Sequence, residues 1–189
     1  MAIETPKYKI LKKNGRIELR EYEPYIKASV EVDAEGFNSA GNNAFGQLAD
    51  YIFGNNTSAS KITMTAPVIS DQKLVSEKIA MTAPVSSTKK SNGIYETSFT
   101  MPSKYTIDTL PKPNNNSIKI SQIPSHRLVV IGFSGYTGES KINNMTLKLK
   151  HWAKENDIKI YQEPIILRYN PPWTPGFLRR NEIGFKVSS

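Results

Sequence analysis

The segment from Tyr169 to Glu182, YNPPWTPGFLRRNE, concentrates more usable chemistry than any other part of the chain. Pro171, Pro172 and Pro175 stiffen it, so an ordered loop is expected rather than a floppy tail. Trp173 and Phe177 offer flat apolar faces that can cap a cavity. Arg179 and Arg180 are fixed cations that can hold carboxylates by charge-assisted hydrogen bonds, or pair with surface acids. A second pattern is a repeated phrase: KITMTAPV at 61–68 returns as KIAMTAPV at 78–85. Apolar residues on alternate positions predict two strands, joined by a short polar connector and paired as an antiparallel hairpin. Met64 and Met81 would then share one surface. Such a wall is soft and polarizable, suited to a flat hydrophobic ligand and equally to an ordinary core.

Other chemistries have little support. The chain has no cysteine, which removes disulfides, thiolate metal sites and cysteine nucleophiles and agrees with a reducing compartment. Of its two histidines, His126 falls in a predicted turn and should be solvated. His151 neighbours Trp152, but one helical step rotates it about 100° toward the polar face. No HExxH, GxSxG, P-loop or GxGxxG pattern occurs, and Gly132 to Gly138 reads as a strand-to-helix turn. No catalytic residue and no metal site is therefore assigned. The net charge of +8, from 25 Lys+Arg against 17 Asp+Glu, invites anions, yet the basic residues are scattered singly. That distribution describes a solvated surface, not a nucleic-acid footprint. No run approaches the roughly 18 apolar residues of a membrane span. The start shows no apolar secretory region, so a cytoplasmic, monomeric protein is expected.

These side chains need a frame to position them. At 189 residues the chain is expected to form one domain over 1–189, burying roughly 70% of its unfolded surface. Arg16–Arg20 and Tyr25–Val32 read as strands, with Ile26, Ala28, Val30 and Val32 alternating against polar neighbours. The period then changes: Phe37, Ala40, Ala44, Phe45, Leu48 and Ile52 mark an amphipathic helix over 37–53, stopped by Gly54. Tyr95–Met101 is a further strand, and Thr109–Asn116 a connector. The order then repeats, with strands over 118–123 and 128–133 and a helix carrying Ile142, Met145, Leu149 and Trp152. Strands over 161–169 and 182–187 close the chain. The economical fold is α+β: a distorted antiparallel β-barrel of two related halves, flanked by two α-helices.

KIAMTAPV at Lys78–Val85, the strand end Phe99–Pro102, the turn Phe133–Tyr136 and YNPPWTPGFLRRNEI at Tyr169–Ile183 together resemble the SOUL haem-binding family, over residues from about 16 to 187. The resemblance implies a superfamily shared with gyrase-inhibitor-like effector domains. It implies haem, or a related tetrapyrrole partner, held without covalent attachment in an apolar cleft against the first helix. Carried over by position, the cofactor-binding residues are Asn42, Phe45, Leu48, Ala49 and Ile52, with Met64, Met81, Tyr169 and Trp173. Some members carry an arginine and methionines along this helix where Asn42, Phe45 and Ala49 stand here. Some use an axial histidine near the preceding strand, and residues 16–36 contain none. The implied mode is loose, porphyrin-general binding with no identifiable axial ligand. An alternative, carried by the same superfamily, is a small-molecule effector-binding or hydrolase domain using Glu182 and Tyr169. Its signature would be a buried carboxylate of raised pKa.

Overall fold

The computed structural model describes residues 3–58, 75–91, 93–171 and 173–188. Among these, nine strands form one curled antiparallel sheet and two long helices pack on it. The first half comprises β1 (Tyr8–Asn14), β2 (Ile17–Tyr22), β3 (Tyr25–Asp33), α1 (Phe37–Phe53), β4 (Asn56–Thr57), β5 (Val85–Ser91) and β6 (Ile94–Thr100). After β7 (Lys112–Pro113), which pairs with β4 as a separate ribbon, the second half supplies β8 (Lys119–Ile123) and β9 (His126–Ser134). Helix α2 (Glu139–Glu155), β10 (Ile160–Arg168) and β11 (Arg180–Val187) complete it. No helix is long and apolar enough to cross a membrane among the described residues.

The sheet order, β1-β2-β9-β11-β10-β5-β6-β3-β8, exposes the internal relationship. Leaving β1 aside, it reads the same from both ends: β2/β8 outermost, then β9/β3, β11/β6 and β10/β5 at the centre. Each half therefore builds one three-stranded core, β5-β6-β3 or β10-β11-β9, roofed by its own helix. Each then lends its first strand to the other half, since β2 pairs with β9 and β8 with β3. The halves join at the β5–β10 seam, where Val85 to Thr88 pair with Arg168 to Ile165.

Alternation decides what lies under each helix. Ala28, Val30 and Phe99 meet Ala44, Leu48, Tyr51 and Ile52 of α1. Val129, Ile131, Phe133, Ile166, Ile183 and Phe185 meet Ile142, Met145, Leu149 and Trp152 of α2. The stripe expected on α2 is thus a core stripe, as are Ala44, Leu48 and Ile52 of the stripe expected on α1.

The hairpin expected of the repeated phrase falls in part outside the described residues, because the first copy of the phrase, with Met64, lies outside them. The second copy lies outside the main sheet until Val85, where β5 begins. Pro84 has no N–H to give a ladder. Ile79 instead donates to Ile52 O (2.8 Å), Ala83 donates to Glu4 O (2.9 Å), and Thr82 makes one isolated bridge with Glu4. The alternation survives as packing: Ile79 is buried in the α1 core while Lys78 and Ala80 face solvent. His126 departs from expectation. It opens β9 half-buried, stacked on Tyr22 at 5.4 Å between ring centroids, with Tyr25 at 5.7 Å. His151 stands exposed on α2, 3.2 Å from Glu155.

Candidate functional site

A cleft of about 430 Å³ opens at the β5–β10 seam, where the two halves meet. Helix α1 contributes one wall through Asn38, Gly41, Asn42 and Phe45, residues three or four apart and so on one side of the helix. Met81, Thr82, Ala83 and Val85 form the opposite side, and Gly135, Tyr136 and Thr137 of the β9–α2 turn close one end. The end of β10 and the following loop add Arg168 to Pro171, Trp173 and Arg179.

Local chemistry fixes that loop. Tyr169 N donates to Arg180 O (3.2 Å), and Arg180 N donates to Asn170 Oδ1 (2.7 Å), so its two ends are tied together. Asn181 Nδ2 reaches Gly135 O at 2.8 Å and binds the loop to the β9–α2 turn. The Arg179 guanidinium stacks over Tyr136 at 4.9 Å, and its Nε donates to Thr174 O (2.7 Å). Gly176 is needed there, because a Cβ would collide with the Tyr136 ring. The rim that results is unusually apolar for a surface: Trp173 is 77% exposed and Phe177 78%.

The residues anticipated from sequence separate into two groups. Asn42, Phe45, Met81, Tyr169 and Trp173 come together around the cleft. Leu48 and Ile52 do not; at 0% and 1% exposure they belong to the core stripe of α1, turned toward β3 and β6. Ala49 is also buried and borders no part of the cleft. A 3.6-residue period marks apolar positions but does not say which face a second layer will cover. Met64 lies outside the described residues.

Arg168 escaped sequence reading altogether. Its signal was present: Ile166 and Arg168 alternate onto the helix-covered face of β10, so a cation sits at an inward position. Four neutral oxygens surround it, from Thr137, Ser87, Phe37 and Asn38. Tyr136 and Thr137 were likewise read only as a turn.

Glu182 is a contrasting case. It is 2% exposed, and its carboxylate accepts from Arg20 Nη1 (2.7 Å) and Nη2 (2.9 Å), from Tyr169 Oη (2.7 Å) and from Arg180 Nη2 (2.7 Å). Burial alone would raise its pKa, but Arg20 foremost, then Arg180 and Tyr169, hold it below the ordinary carboxylate range. That reverses the raised pKa that acid–base work at Glu182 would require. Arg180, not Arg179, is its second cation. Burial and the neighbouring carboxylate push Tyr169 upward in turn.

The SOUL heme-binding protein family model matches residues 3–76 and 69–186. The chain belongs to this family. It is 29% identical to human Heme-binding protein 2 over 177 residues, covering 90% of this chain and 80% of that protein. To Heme-binding protein 1 of Xenopus laevis it is 28% identical, covering 97% and 92%. In fold it is similar to the EcmrR C-terminal domain, with a TM-score of 0.61 at 17% identity over 96% of this chain and 98% of that one. A hydrolase from Listeria innocua gives a TM-score of 0.57 at 10% identity, covering 94% of each chain. The haem-binding family and its curled α+β sheet, expected from the motifs, are thereby established.

Proposed function

We propose that this chain binds haem or a related tetrapyrrole non-covalently in the seam cleft, and acts as a carrier or buffer rather than a catalyst. The observation that carries this reading is the make-up of the cleft: Phe45, Met81, Val85 and Trp173 give apolar surface, and Arg168 gives a cation, within one space of about 430 Å³. A flat macrocycle with an acidic edge calls for both. The volume lies in the range of about 300–1,000 Å³ common to small-molecule sites. Membership of the family, and relatives named for haem binding, support the same ligand class.

Each chain group has a part that follows from its chemistry. Phe45 and Trp173 offer ring faces, and Met81 an adaptable thioether, so a tetrapyrrole would be held largely by area burial at about 25 cal/mol per Å². Haem, when bound, supplies an iron porphyrin with two carboxylates. Among the described lining residues, Met81 and Tyr136 can approach a metal and no histidine is present. That donor set fits loose, porphyrin-general retention rather than a tuned redox centre. Cysteine is absent, which agrees with non-covalent attachment. The committed, acid-shifted Glu182 gives the hydrolase alternative no support.

The test is a haem titration of the purified chain, followed by absorbance. A shifted Soret band that saturates is expected, and it should persist in His126→Ala and His151→Ala, because neither histidine borders the cleft. A Soret band identical to that of free haem would overturn the reading.

A further inference from the structure

Arg20, which is buried, and Arg168, which is half-buried, are treated differently. Arg20 is matched by Glu182 and Glu18, with guanidinium–carboxylate distances of 2.7 Å to each. Arg168, at the end of β10, has no carboxylate partner among the described residues. Its Nε donates to Thr137 Oγ1 (3.2 Å), Nη1 to Ser87 Oγ (3.3 Å), and Nη2 to Phe37 O (3.1 Å) and Asn38 Oδ1 (3.3 Å). Every acceptor is neutral. These contacts come from β5, the start of α1 and the β9–α2 turn, so the guanidinium is fixed rather than searching. A guanidinium has five N–H donors. The four bonds leave one of them, on Nη1, to spare.

A charge partly withdrawn from water without a counter-ion carries a cost, and here partial burial draws the Arg168 pKa down to about 10. An arrangement that pre-pays this cost, with the donors already aimed, is what an anion site looks like before its anion arrives. The neighbouring helix agrees. Gly41 stands inside α1, where glycine is a poor helix former, and it borders the cleft. A Cβ at that position would lie 3.3 Å from Arg168 Nη1, crowding the atom that holds the spare donor. Glycine keeps that approach open.

We infer that Arg168 is the anion seat of the cleft, and that a carboxylate of the bound tetrapyrrole points inward to its Nη1 edge beside Gly41. The macrocycle then lies outward of it, against Phe45, Met81 and Trp173, with the opposite ring edge toward the apolar rim. This inference rests on the tetrapyrrole reading of the cleft and adds an orientation and a selectivity to it: free-acid porphyrins are preferred over their esters.

The experiment titrates haem and haem dimethyl ester separately into the full chain and into Arg168→Gln, Arg168→Lys, Gly41→Val and the exposed control Lys154→Ala. A charged hydrogen-bonded contact of this kind should favour haem over the ester by about ten-fold or more in the parent. Arg168→Gln should lose that preference, Arg168→Lys should retain part of it, and Gly41→Val should lower haem affinity toward that of the ester. Lys154→Ala should match the parent. Equal affinity of the parent for haem and ester overturns the inference while leaving the tetrapyrrole reading intact, as does a folded Arg168→Gln that still prefers haem. Should Arg168→Gln fail to fold, the parent's acid-to-ester ratio and Gly41→Val decide. A parent that takes up neither compound removes the tetrapyrrole reading and this inference with it.

Discussion

Arg20 and Arg168 show how the same side chain takes opposite roles according to its neighbours. Arg20 completes a buried network with Glu18, Glu182, Tyr22 and Tyr169, and stacks over Tyr8 at 4.4 Å. Networks of this kind are costly to break from one side, because the remaining charge stays buried. Glu182→Gln should therefore lower stability by about 3 kcal/mol, the lower end of the usual 3–5 because Glu18 stays with Arg20. The double change Arg20→Met with Glu182→Leu should recover much of the loss, and urea midpoints at unchanged slope would measure both. Acid sensitivity follows from the same groups. Burial opposes ionisation of Glu18, Glu96 and Glu182, but their cationic partners win and hold each below 4.5. With the folded value below the unfolded one, their contribution is complete above about pH 4.5 and fades as the pH falls through the depressed values. Acid unfolding should begin below the ordinary carboxylate range, and Glu182→Gln should flatten its onset; an onset near pH 6 would contradict this assignment.

Helix α1 carries two stripes with different duties. Ala40, Ala44, Leu48, Tyr51 and Ile52 are buried against the sheet, whereas Asn38, Gly41, Asn42 and Phe45 face the cleft. Phe45 touches both, through an edge-on contact with Phe99 at 5.5 Å between centroids. Steric probes should separate the stripes. Asn42→Trp, at an exposed position bordering the cleft, should leave the melting temperature near that of the parent and block porphyrin uptake. Ala49→Trp should do the reverse, costing roughly 1–3 kcal/mol by overpacking while haem affinity in the folded fraction is kept. Melting curves beside haem titrations give both readings. If Ala49→Trp blocked binding without loss of stability, the cleft wall would extend further down α1 than its packing indicates.

Across the whole fold, the exchange of β2 and β8 makes each half depend on the other for the outer strand beside β9 or β3. The seam between β5 and β10 adds direct pairing, and the cleft exists only because two helix-covered units meet there. The halves should accordingly unfold together. Fluorescence of Trp152, in α2 of the second half, and far-ultraviolet circular dichroism of the whole chain should give coincident urea transitions. Trp173→Phe would isolate the Trp152 signal. Two resolved transitions would mean that the halves stand independently and that the exchanged strands contribute little.

Local periodicity was enough to read α1 over Phe37–Phe53, β3, β6, the core stripe of α2 and the doubled order of elements, because each buries one face at a regular spacing. It did not reveal β5, VSSTKKS, or β1, YKILKKN, whose strands are held by ladder hydrogen bonds rather than by an apolar face. In the second copy of the eight-residue phrase the alternation is kept as packing, with Ile79 under α1. The aromatic loop was legible as a possible cap from residue type and stiffness, and Phe45 was placed at a cleft by the family resemblance; Trp173 and Phe45 both line the space at the seam. Arg168 was not legible, since its meaning depends on distances to Thr137, Ser87 and the start of α1 and on having no carboxylate partner among the described residues. Sequence patterns report which side of an element avoids water. Which cation is matched and which is left waiting is set by contacts between residues far apart in the chain, and those arise only when the two halves close on each other.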